Sequence, residues 1–266
     1  MAFLSNLSMR IPASVRRISD PLVENLRVPI IGGVNRGLWW SLASSGSGYA
    51  SGRRAAAQMV LLERLMQVQD VVFDIGAHHG YVTLAASRKV GANGRVYAFE
   101  PSRMNRGRLM RHVAWNKLVN VSVLPFALSD YEGESRFGGS GTSKMFAMGA
   151  GTEIVTVRSA ASLLSDGAVV RPDFVKIDVE GAEAETLRGL MPILSPSSRL
   201  LVAMHNADVD RACTAMLEGA GFLCVASRAL ENNRKAQWQS DPDLYCAGPE
   251  YTKRDDDLEA LRAANF

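Results

Sequence analysis

The chain has 266 residues, 47% of them hydrophobic and 21% charged. That composition suits one or two globular domains with a full core and excludes a disordered, collagen-like or fibrous chain. Thirty Lys and Arg stand against 27 Asp and Glu, a formal net charge of +3, too small a bias to name nucleic acid as a partner.

The charge is uneven. Residues 1–69 hold eight Arg, no Lys and only Asp20, Glu24 and Glu63, a local charge of +5. Leu4, Leu7, Ile11, Val15, Ile18, Leu22 and Leu26 recur at the i, i+3, i+4 spacing of one helix face, and Pro12 and Pro21 interrupt any single long helix. The expectation is one or two short helices packed on the main domain. The alternatives are a basic amphipathic surface on residues 1–30 that touches a membrane, or a cleaved targeting segment. Glycines at 32, 33, 37, 46, 48 and 52 then mark a loop region around Trp39 and Trp40, and helical spacing returns over 55–68. Residues 1–69 read as an N-terminal helical and loop cap.

From Val71 short apolar runs alternate with helical stretches. Strands are expected at 71–75, 95–99, 121–126, 174–178, 199–205, 222–226 and 244–247, with helices at 81–89, 102–116, 183–191 and 208–220. Residues 127–158 read as a hairpin or loop excursion, and the charged tail at 251–266 as solvated. No run of about 18 apolar residues marks a membrane-spanning helix. Cys213, Cys224 and Cys246 are odd in number and widely spaced, so they read as small core residues in a reducing compartment rather than a disulfide framework. Strands alternating with helices define an α/β fold: a Rossmann-like, doubly wound, mostly parallel seven-stranded sheet spanning 70–250. Ligands of such sheets bind at the carboxyl ends of the strands.

The first strand runs into Asp74-Ile75-Gly76-Ala77-His78-His79-Gly80. Gly76 permits a tight turn, Gly80 lets the next helix approach the sheet, and that helix points free N–H groups at the turn. The pattern is not the GxGxxG of nicotinamide enzymes, and Asp74 would repel a pyrophosphate. It suits S-adenosylmethionine (SAM), whose sulfonium and ammonium are cationic; an acid 4 Å away contributes about 4 kcal/mol at an effective dielectric of ~20, before desolvation. Glu100 ends the second strand 20 residues after Gly80, the spacing at which an acid grips ribose hydroxyls.

Three segments carry a resemblance. VVFDIGAHHGYVTLAASRKVGANGRVYAFEP (71–101), ALSD (127–130) and VKIDVEGAE (175–183) resemble the FkbM family of SAM-dependent methyltransferases over about residues 70–227. The resemblance implies a class I methyltransferase fold and usually O-methylation of a hydroxyl, on polyketides, sugars or glycolipids. It implies that Asp74, Gly76, Ala77, His78 and Gly80 line the methionine end of SAM. It places Glu100 on the ribose, Pro101 and Ser102 beside the adenosine, and Ala127 at the adenine. The family often has Glu before His in an LLVEIH-like strand; here LLVAMHN (200–206) puts Ala203 at that place.

Asp178, Glu180 and His205 follow the fourth and fifth strands and are the catalytic candidates. Asp178 is placed beside the transferred methyl, and also as a cofactor contact. Glu180 is a general base, a metal ligand or a helix-start acid, and neutral His205 is an imidazole base. Asp178 with Glu180 has a spacing that permits a divalent cation without demanding one. Glu183 reads as a first-turn acid, Asp130 as a turn former, and His112 with Arg103, Arg106, Arg108 and Arg111 as a solvated helix face. Trp39, Trp40, Tyr49, Phe137, Phe146 and Trp238 could wall the acceptor site. The expected partner is a small hydroxyl-bearing acceptor in a cytoplasmic, membrane-contacting setting. The alternatives are a nicotinamide-dependent oxidoreductase and a non-catalytic SAM-fold binding subunit.

Overall fold

The computed structural model describes residues 25–44, 46–53, 56–138, 147–148, 151–226, 243–253 and 255–257. The amphipathic run from Leu4 to Leu22, Phe146, Trp238, nearly all of the loop 228–243 and residues 258–266 lie outside the described residues. The cap contributes β1 (Arg27–Pro29), β2 (Trp39–Ser41), α1 (Gly46–Ala50) and α2 (Ala56–Leu65). Then come β3 (Val71–Ile75), α3 (Tyr81–Val90), β4 (Arg95–Phe99), α4 (Arg103–Trp115), β5 (Val121–Leu124) and β6 (Phe126–Leu128). The chain continues through β7 (Gly133–Gly138), β8 (Ala147–Met148), β9 (Glu153–Arg158), α5 (Ala160–Ser165), β10 (Phe174–Ile177) and α6 (Glu183–Leu190). It ends with β11 (Arg199–Ala203), α7 (Ala207–Gly219), β12 (Leu223–Ala226) and β13 (Asp243–Ala247).

Seven strands form the central sheet in the order β12-β13-β11-β10-β3-β4-β5. Neighbours from β11 to β5 are parallel, and β13 runs antiparallel between β11 and β12. The apolar runs VVFDI, FVKI and RLLVA are what a sheet covered on both faces demands. Phe73, Ile75, Val175 and Ile177 pack under α5, α6 and α7 through Leu163, Leu187 and Leu217. Val72, Phe174, Leu201 and Tyr245 pack on the opposite face under α2, α3 and the cap, through Leu62, Leu84, Ile30 and Trp40. The chain leaves β3 toward β4 on one side and returns through β10 on the other. The cleft between the ends of β3 and β10 is therefore the switch point where such sheets bind ligands.

Several sequence expectations are corrected. The third strand does not run through to Phe126: Pro125 interrupts it, having no N–H for the ladder, and the chain starts a second sheet of order β6-β9-β7-β8. The 127–158 excursion is thus a sheet with its own small core of Ala127, Phe137, Val155 and Val157. The fifth strand stops at Ala203, short of His205. Cys224 and Cys246 face each other across β12 and β13 and are joined by a disulfide, leaving Cys213 as the free, buried thiol. The tail is not wholly solvated, since Tyr251 and Asp257 are buried and Tyr245 donates to Asp257.

His112 is buried rather than solvated, and it joins the cap to the domain. Its Nδ1–H donates to the His79 carbonyl at 2.7 Å, its Nε2 accepts from Ser41 N at 2.9 Å, and its ring stacks on Trp40 at 4.0 Å. That arrangement needs a neutral ring, and burial pushes its pKa down to about 4. Among the described residues no helix is long and apolar enough to cross a membrane.

Candidate active site

The turn after β3 is shaped by backbone that few residues tolerate. Gly76 sits at φ 76°, and a Cβ there would stand 1.9 Å from the Asp178 carbonyl oxygen. Gly80 sits at φ 88°, where a Cβ would collide with Leu109 at 2.3 Å. His78 takes φ 51°, the left-handed conformation that Asn, Asp and His enter more readily than most side chains. Ala77 is buried between them.

Asp74 is 0% exposed. Its Oδ2 accepts from Thr83 Oγ1 at 2.5 Å, and its Oδ1 lies 3.7 Å from Lys176 Nζ without a hydrogen bond. Burial raises its pKa, with Lys176 and Thr83 opposing. Glu100, at the end of β4, accepts from His78 N at 2.7 Å and from Ser102 N at 2.9 Å. Burial lifts its carboxyl to about 7 against those hydrogen bonds. Ser102 Oγ and Asn105 Oδ1 are buried beside it without hydrogen-bond partners. These residues fit SAM. Buried acceptors await donors where an ammonium, a ribose diol and an adenine would lie, and the glycine turn leaves the backbone bare.

The end of β10 carries Lys176 and Asp178 on one face, and the loop beyond carries Glu180. Lys176, which sequence reasoning passed over, is buried between the two aspartates. Its Nζ lies 3.2 Å from Asp178 Oδ2 and 3.5 Å from the Gly76 carbonyl. Its signal was a lone Lys inside an apolar strand, two residues before Asp178 and so on the same face. Burial disfavours the ammonium, but Asp178 and Asp74 outweigh it and hold the Lys176 pKa above its ordinary value. Burial likewise works against the Asp178 carboxylate, but Lys176, then His205, hold its pKa low.

Glu183 does more than begin a helix. It is fully buried, accepts from Val179 N and Gly181 N, both at 3.1 Å, and holds His205 Nδ1 at 2.8 Å. His205 Nε2 then faces Glu180 Oε2 at 3.3 Å and Asp178 Oδ1 at 3.7 Å. Hydrogen bonds to Glu180 and Glu183 push the imidazole up to about 10. As it stands His205 is a cation at neutral pH, where a neutral base was expected; three carboxylates surround it.

The structure therefore brings Asp74, Gly76, Asp178, Glu180 and His205 to one cleft, with His78 and Glu100 joined on its β4 side. Ala127 lies inside β6, opposite Val157, rather than in a loop. Asp130 pairs with Arg188 at 2.7 Å on the surface. Trp40 and Tyr49 stack in the cap core, and Phe137 packs in the second sheet, so they do not wall an acceptor site. Arg106 is not merely solvated: it donates to the carbonyls of Glu100 and Pro101.

A mostly parallel sheet of this strand order, with Asp74 near the end of β3, a glycine turn beyond it and Glu100 after β4, is the class I SAM-dependent methyltransferase fold. Residues 74–216 match the methyltransferase FkbM domain, and the chain belongs to that family. It is 30% identical over 168 residues to the hexuronic acid methyltransferase AglP of Haloferax volcanii, a match covering 60% of this chain and 66% of that protein. Among solved structures it is similar to an O-methyltransferase from Bacillus cereus, at 14% identity and a TM-score of 0.50 over 72% of this chain and 80% of that one. It is also similar to methyltransferase FkbM from Methylobacillus flagellatus KT, at 18% identity and a TM-score of 0.49 over 68% and 45% of the two chains.

Proposed function

We propose that the protein is an O-methyltransferase acting on a hydroxyl of a small molecule, with sugar acids as the favoured class. The cluster of Asp178, Glu180 and His205 beside the cofactor turn carries this reading, and the likeness to a hexuronic acid methyltransferase supports the acceptor class. The chemistry is assigned to residues 70–250, with residues 1–69 as a cap.

SAM supplies an electrophilic methyl group and leaves as a neutral thioether. Asp74 holds the cationic methionine end, Gly76, Ala77, His78 and Gly80 shape its seat, and Glu100 with Pro101 and Ser102 holds the adenosine. Positioning an acceptor in line supplies up to about 7–11 kcal/mol of the barrier. A hydroxyl must also lose its proton as the bond forms, a step in which a carboxylate base contributes about 10²–10⁴-fold. The protonated His205 cannot accept that proton. Asp178 is held low and engaged by Lys176, which leaves Glu180, 41% exposed on the rim, to take it while His205 orients both acids.

The test is single-turnover transfer from methyl-labelled SAM to hexuronic acid glycosides, neutral glycosides and hydroxylated polyketides. Glu180→Gln should lose at least about 100-fold in rate with SAM still bound. Unchanged rates in Glu180→Gln, Asp178→Asn and His205→Asn would remove the assignment. Label released as methanol by mild alkali would make the acceptor a carboxylate rather than a hydroxyl.

A further inference from the structure

We propose that Asp178, Glu180 and His205 form a divalent-cation site of the Mn²⁺ or Mg²⁺ class that binds the acceptor oxygen. The proposal deepens the O-methylation reading and rests on it for its purpose, but its binding test does not.

The geometry is that of a site one step from closure. One ligand atom from each of the three residues lies within 4.8 Å of the other two. Donors that share an octahedral ion at about 2.1 Å stand about 3 Å apart. His205 Nε2 lies 3.3 Å from Glu180 Oε2 and 3.7 Å from Asp178 Oδ1, so these gaps must close by about 0.3 and about 0.7 Å, within reach of rotation of the two partly exposed carboxylates.

The imidazole is aimed from behind. Metal-binding histidines give their second nitrogen to a carboxylate, which fixes the ring and raises its basicity. Glu183 Oε1 stands 2.8 Å from Nδ1, in reach for that role, in a fully buried position and itself pinned by two backbone N–H groups. Its Oε2 has no hydrogen-bond partner, so uncompensated negative charge lies directly behind the ring, where a cation is favoured.

The ligand set and its exposure fit a working ion. An ion here takes the place of the His205 Nε2 proton, and two carboxylates with one neutral imidazole are a set that Mn²⁺ accepts, with Mg²⁺ next. The Asp178 and Glu180 side chains are 38% and 41% exposed, leaving coordination positions for water and substrate. Lys176 engages Asp178 through Oδ2 and leaves Oδ1 for the ion. An acceptor hydroxyl on the ion becomes more acidic. Its proton passes to Glu180 Oε1, the oxygen not on the ion, as the C–O bond forms and the S–CH₃ bond breaks.

The experiment is Mn²⁺ binding to the full-length, chelator-stripped protein, followed by electron paramagnetic resonance of free Mn²⁺. One ion per chain is expected, with a ¹⁴N coupling from His205 in the pulsed spectrum of the wild-type protein. Glu180→Gln and His205→Ala should each weaken binding at least tenfold. Glu183→Gln should weaken it about 10–100-fold without touching the ion. Wild-type Mn²⁺ binding without nitrogen coupling, or unchanged in these variants, would overturn the site, and the wild-type spectrum decides even if a variant does not fold. Full transfer in excess chelator would overturn the ion's role while leaving O-methylation standing. Mn²⁺ binding with no methylated hydroxyl in any acceptor would sink the O-methylation reading instead.

Discussion

The sheet buries a cation between acids at both of its ends, and the two arrangements differ in completeness. At the amino end Arg199 meets both oxygens of Asp70 at 2.8 Å, donates to the Leu65 carbonyl at 2.5 Å, and stacks near Tyr251 and Phe174. Asp70 is closed in turn by Gln67 N at 2.6 Å. At the carboxyl end Lys176 lies 3.2 Å from Asp178 and 3.7 Å from Asp74, whose Oδ1 keeps no hydrogen bond. One guanidinium nitrogen of Arg199 spans both oxygens of Asp70, so that carboxylate is fully engaged although Arg199 Nε has no hydrogen-bond partner, while the ammonium acts as a point charge that leaves an Asp74 oxygen spare. The engaged carboxylate at the amino end serves the fold; the spare carboxylate oxygen at the carboxyl end awaits a ligand.

Four changes would break or sharpen this contrast. The largest effect is expected from Asp70→Asn, which leaves Arg199 buried without its carboxylate and should cost about 3–5 kcal/mol in urea unfolding. Cofactor affinity of the folded protein should not change. A loss below about 1 kcal/mol would undo the idea that the amino end carries stability.

Asp74→Asn should do the reverse. Calorimetry should show SAM binding weakened about 10–100-fold, the worth of a charged hydrogen bond of about 1.5–3 kcal/mol. The unfolding midpoint should barely move, because neutralising a buried carboxyl also removes its desolvation penalty.

Glu100 adds a pH signature. Its folded pKa of about 7 lies above the ordinary value of 4.5. The folded chain therefore keeps a proton that the unfolded chain releases, and stability falls as pH rises from about 4.5 to about 7. The ionised form is the better acceptor for a ribose diol, so SAM affinity should tighten up to about tenfold between pH 6 and 8. Glu100→Gln should flatten that profile; a wild-type affinity independent of pH would remove Glu100 from the ribose. The smallest effect is expected from Arg188→Ala, whose surface pair with Asp130 should be worth under about 1 kcal/mol and nothing in SAM affinity.

Much of this was legible in the sequence, for physical reasons that vary by residue. The runs 71–75 and 95–99 were read to the residue because short, mostly apolar runs mark strands covered on both faces, even with Asp74 inside the first. The turn from Asp74 to Gly80 was readable because glycines at fixed offsets have a steric cause. Pro125 was a visible stop signal outweighed by the apolar residues around it. His112 and the Cys224–Cys246 pair were not legible, since one depends on where the β1–β2 hairpin lands and the other on β13 lying beside β12. Glu183 looked like a helix-start acid, and its hold on His205 needed the register of β10 against β11.

The position of β13 has a consequence for how the molecule is made. Among the described residues it is the last strand, yet it fills an interior place between β11 and β12. Until residues 243–247 have been synthesised, β11 and β12 cannot be neighbours, and each exposes unpaired backbone to other chains. Assembly of this edge of the sheet must therefore wait until residue 247 has left the ribosome, which exposes it to self-association during synthesis more than the β3–β4–β5 half.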